Sequence, residues 1–75
     1  MNTNVYIEIR TGDLLWSLIT SREAADAFVC EWQMVDGQQV IEISGIGADR
    51  DARPATAYIQ KCEITGVWIQ EIGNH

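Results

Sequence analysis

The sequence predicts a small α+β fold: a two-layer sandwich in which one helix lies across a mainly antiparallel sheet of four to five strands, in the order β-β-α-β-β-β. Three observations carry this. Val5, Ile7 and Ile9 alternate with Tyr6, Glu8 and Arg10, the period of two expected of a half-buried strand. Ala24, Ala25, Phe28, Val29, Trp32 and Val35 form one apolar stripe at helical spacing. Short Gly-containing turn signals join the strand-like runs, as in hairpins. A small open barrel with the helix as a plug is the alternative arrangement of the same elements.

Taken in order, the first strand ends at the turn Thr11-Gly12-Asp13, and an apolar run from Leu14 to Ile19 follows. In that run Leu14, Trp16 and Leu18 point one way, and Leu15 and Ile19 the other, with Ser17 between them. Both faces are thus apolar, which a one-sided sheet does not require. Thr20 and Glu23 have the spacing of a capping box, so a helix is expected over 21–34, with Arg22, Glu23, Asp26, Cys30 and Gln33 on its polar side. Asp36-Gly37 makes a turn. A third strand covers 39–45, with Ile41 and Ile43 opposing Val40, Glu42 and Ser44; Gly45 and Gly47 end or bulge it. Residues 47–54 hold four charges and no apolar period, and read as a loop. A fourth strand centres on Tyr58 and Ile59. A fifth covers 65–72, with Val67 and Ile69 opposing Trp68 and Ile72. Lys61 to Ile64 reads as a tight or helical turn between them, or as a bend within one long strand.

Seventy-five residues make a single domain over 1–75, one that buries only about 60% of its unfolded surface. The chain is 47% hydrophobic and 21% charged, a globular rather than a disordered composition. No apolar run approaches the roughly 18 residues of a membrane span. Met1-Asn2-Thr3-Asn4 lacks the basic and apolar blocks of a signal peptide, so the expected compartment is the cytoplasm. Cys30 and Cys62 are read as free thiols in a reducing environment.

The only histidine is His75, the last residue. A frayed end cannot hold a general base in place, so no serine or cysteine gains a histidine partner within the fold. Neither cysteine belongs to a zinc-ligand pattern, and Gly45-Ile46-Gly47 lacks the third glycine and the helix of a phosphate loop. No cofactor is expected. Eleven acids against five bases give a net charge of -6, which opposes direct phosphate-backbone binding. Glu8, Glu42, Glu63 and Glu71 all fall on or near strands, but no spacing selects two of them as an acid–base or metal pair.

Two groups remain as candidate protein-binding residues. Trp16, Trp68 and Tyr58 exceed what so small a core needs, and surface aromatics mark interfaces. Asp49, Arg50, Asp51 and Arg53 crowd one loop, where recognition residues concentrate. The chain therefore reads as a non-enzymatic binding and assembly module that pairs with itself as a dimer or larger ring, or with a basic protein surface, and with neither nucleic acid nor membrane. The alternative rests on an analogy of size and charge. Small acidic proteins made by phages to block restriction or CRISPR nucleases resemble it in both respects, and would act by filling a basic groove with carboxylates. A carboxylate-based hydrolase or an enzyme subunit is the weakest of the readings.

Overall fold

The structure, a computed structural model, describes residues 4–48 and 51–72. The element order is β1 (Asn4–Thr11), β2 (Leu15–Ser21), α1 (Arg22–Met34), β3 (Val40–Gly47), β4 (Pro54–Gln60), a short 3-10 helix (Lys61–Glu63) and β5 (Ile64–Glu71). The five strands form one open antiparallel sheet in the order β4-β3-β2-β1-β5. This is the expected α+β arrangement, and the sheet is not closed into a barrel.

The connection from β4 to β5 sets the shape. These strands occupy opposite edges, yet only Lys61–Glu63 separates them. Five strands laid flat would put the edges roughly 19 Å apart, whereas three residues of 3-10 helix rise about 6 Å. The sheet therefore curls, and its edges approach at that corner without pairing. The 3-10 helix is anchored there. Lys61 N donates to Gln39 O and Cys62 N to Gly37 O, both at 2.9 Å.

The curl is taken up between β2 and β3. Their ladder contains only two register pairs, Leu18 with Gly47 and Ile19 with Ile46. Beyond them Thr20 Oγ1 donates to Ser44 O at 2.8 Å. At Gly45 the strands approach so closely that an added Cβ would stand 2.6 Å from Ile19 O. Gly45 thus lies inside β3 rather than ending it.

The inward residues follow the alternation read from sequence. Val5, Ile7, Ile9, Leu18, Ile41, Ile43, Ala57, Ile59 and Ile64 join Ala25 and Phe28 of the helix in one buried cluster. Val29, Trp32 and Val35 pack against it from the same helix stripe. Phe28, with 1% of its surface exposed, is the largest fully buried side chain.

The helix start differs from the capping box expected at Thr20. Ser21 is the N-cap, and its Oγ accepts from Ala24 N at 3.1 Å. Thr20 has the parity of Trp16 and Leu18, so its side chain turns inward and serves the β2–β3 seam instead. At the other end Lys61 Nζ donates to Val35 O at 2.8 Å. That places a cation from a distant segment at the negative end of the helix dipole.

Gly45→Ala is expected to lose about 1–3 kcal/mol, because a backbone carbonyl and not a yielding side chain meets the new methyl. Gly12→Ala, with nothing within 4 Å, should stay within about 0.5 kcal/mol of the parent. Urea unfolding of the two variants checks the contrast.

Candidate functional site: the helix-free face of β1, β2 and β5

The helix covers one side of the sheet, and the registers define what stands on the other. Across β2, β1 and β5 three rows run side by side: Leu15–Arg10–Gly66, Ser17–Glu8–Trp68 and Ile19–Tyr6–Gln70. Ile46 of β3 extends the last row beside Ile19. Trp68 is 55% exposed, Leu15 52% and Ile46 45%. Exposed apolar side chains grouped in this way, rather than scattered singly, mark a contact surface.

Polar bonds fix the middle of this face. Tyr6 OH donates to Glu8 Oε2 at 2.7 Å and lies 3.3 Å from Ser17 Oγ. The Trp68 ring stands edge-on to Tyr6, with centroids 6.4 Å apart and planes at 84°, a favoured aromatic geometry. The cluster fixes the orientation of both rings on this face.

A notch opens at the edge of the face. The ladder between β1 and β5 shifts register between Arg10 and Thr11, a bulge that lets both Ile64 and Val67 turn inward. Next to it, Gly66 leaves bare backbone, and a Cβ there would meet nothing within 4 Å. The notch holds about 190 Å³ and is lined by Glu8, Arg10, Gly66, Val67 and Trp68.

The aromatic candidates separate. Trp68 stands on the helix-free face. Trp16 pairs with Ile9 on the helix side and packs against the core, so its place is with the interior. Tyr58 is exposed on β4 opposite Glu42, with Val40 nearby on β3; that hairpin lies beyond the curl. Of the loop candidates, Asp49 and Arg50 lie outside the described residues, as does His75. Asp51 and Arg53 are exposed. Between them Ala52 holds a left-handed φ of 50°, a conformation that costs a residue with a Cβ roughly 1–2 kcal/mol. Gly47 N donates to Arg53 O at 2.8 Å and closes the base of the loop.

The carboxylates do not meet. Glu8 opposes Ser17 and Trp68, Glu42 opposes Tyr58, and Glu71 opposes Val5. Glu71 instead reaches Arg22 on the helix side at 3.3 Å. Among the described residues no group of three His, Cys, Asp or Glu side chains gathers where a metal ion would sit. Cys30 and Cys62 are both exposed and not bonded to each other. No helix among the described residues is long and apolar enough to cross a membrane.

Sequence reading put Arg10 on the outward side of β1 but named neither Arg10 nor Gly66 as a binding candidate. Both positions carry a signal: Gly66 interrupts a strand run two residues before an outward tryptophan, and Arg10 ends an alternating strand. Comparison with family models, with curated proteins and with solved structures finds no match for the chain.

The two strand tryptophans give a direct test of which face is which. Trp16→Ala is expected to cost about 3 kcal/mol, as truncating a core-packed aromatic does. Trp68→Ala should cost well under half of that when unfolded in urea at high dilution.

Proposed function

We propose that this chain is a non-enzymatic, protein-binding assembly module, and that its binding surface is the helix-free face of β1, β2 and β5. The observation that carries the reading is the group of half-exposed apolar side chains, Leu15, Trp68 and Ile46, on a side of the sheet that no element among the described residues covers. Among the described residues only Glu8 and Arg10 are charged on that face, so it is close to neutral in a chain whose net charge is -6. Depletion of charge with enrichment in aromatic residues and arginine is the composition of an interface core. The module works in the cytoplasm, where its two exposed thiols stay reduced.

A second reading is favoured by one observation. Glu23, Asp26 and Glu31 are all exposed on the helix, and a basic groove would engage that side rather than the sheet. Salt separates the two. Binding through the acidic helix side weakens steeply as ionic strength rises, whereas binding through the apolar face does not.

The experiment is the absolute mass in solution by light scattering, over a range of concentrations at low and high salt. The expected result is a weight-average mass above that of the 8.4 kDa chain, rising with concentration and persisting in high salt. A mass of one chain under every condition contradicts self-assembly.

A further inference from the structure

We propose that the occupant of the helix-free face is a second copy of this chain, docked about a twofold axis that passes between the Glu8 row and the Arg10 row. This inference rests on the assembly reading above and specifies its geometry. Glu8 and Arg10 are two residues apart on β1, the middle strand of the face. Trp68 and Gly66 are two residues apart on β5, in the same two rows. A twofold axis running across the strands between those rows therefore lays each row on the other row of the partner.

Two complementarities follow from the same operation. Arg10 of each copy meets Glu8 of the other. Among the described residues Arg10 makes no salt bridge, and Glu8 accepts only from Tyr6. At the same time Trp68 of each copy enters the notch above Gly66 of the other. An apolar cavity of about 150 Å³ takes up benzene, so a notch of about 190 Å³ has room for much of an indole ring. Arg10 lines that notch and offers its guanidinium to the ring. Knob and hole, and cation and anion, share one spacing on neighbouring strands, which is what an isologous interface requires.

Charge selects a second copy over a basic partner. A basic surface would gain little from a face on which one acid and one base cancel. Three strands of this length present on the order of 400 Å² a side, about half of a standard interface and in the range of weak, transient ones, so the dimer is reversible.

The test uses three variants of the full chain, read by light scattering and sedimentation. Gly66→Leu fills the notch from within; the open space at Gly66 and its lack of positive φ leave the monomer fold intact, checked by circular dichroism. It is expected to weaken dimerisation at least tenfold. Arg10→Glu places two acids against two acids, Glu8→Arg two bases against two bases, and each alone should weaken it at least tenfold. An equimolar mixture of these two variants should recover the wild-type affinity, because every crossed pair is then opposite in sign. If wild type dimerises while Gly66→Leu leaves the dissociation constant unchanged, or the mixture recovers nothing, this docking is wrong and self-assembly stands. If wild type stays a monomer up to about 1 mM, a dissociation energy near 4 kcal/mol, both fall together.

Discussion

The close crossing of β2 and β3 is the constraint on which the rest of the structure depends. Gly45 passes over the Ile19 carbonyl with no room for a side chain, and the Thr20 hydroxyl ties the strands together just past their two-pair ladder. A strand that kept pairing with β2 along its length would hold the sheet flat. Released after two pairs, the β3–β4 hairpin turns its apolar face toward the same helix that covers β1, β2 and β5. The three-residue link between β4 and β5 is possible only because of that curl. One helix then suffices to close the interior, and Phe28 and Ala25 share one buried cluster with residues from both halves of the sheet.

This economy has a cost on the outside. A chain of this length has one helix to spend, and the curl places it on the concave side. The exterior of β1, β2 and β5 is left with Leu15, Ile19, Tyr6 and Trp68 and, among the described residues, no covering element. In an antiparallel sheet with one solvated face the outward positions are normally polar. The β3–β4 exterior is mixed: Val40 and Tyr58 are exposed there, interleaved with Glu42, Ser44, Thr56 and Gln60, and Ser44 Oγ is bonded to Thr56 Oγ1 at 2.9 Å. On the face of β1, β2 and β5 the exposed apolar residues stand beside an oriented tryptophan, a bare glycine and a balanced pair of charges. Consistency across levels fails at functional surfaces more often than elsewhere.

Much of the fold was legible because period-two alternation holds through β1 to β4 and through β5 past its bulge. Val5, Ile7 and Ile9, and again Ile41 and Ile43, face inward as the pattern indicates, and the helix stripe through Phe28 is buried as its spacing requires. The double-sided apolar run reads correctly over 15–19 as a strand with one face inside and one outside, but Leu14, expected on the side of Trp16 and Leu18, lies before β2 and is exposed. What sequence did not disclose is long-range. Nothing local to Lys61–Ile64 says that the strands on either side of it sit on opposite edges of the sheet, since that follows from the curl and not from the turn. The cap was misassigned between adjacent hydroxyl residues, of which Ser is the better cap, and the parity of Trp16, Leu18 and Thr20 settles it in favour of Ser21. Trp16 and Trp68 look alike as strand tryptophans; only the registers separate the one on the core from the one on the open face.

The account stands most directly on where copies of the chain touch. Amide resonances of the uniformly labelled protein, followed by NMR from high to low concentration, report that surface residue by residue. The account predicts shifts confined to β1, β2 and β5, largest around Glu8, Arg10, Gly66 and Trp68, with the exposed side of α1 unchanged. Shifts centred on α1 or on the β3–β4 hairpin, or none across the whole range, would contradict it.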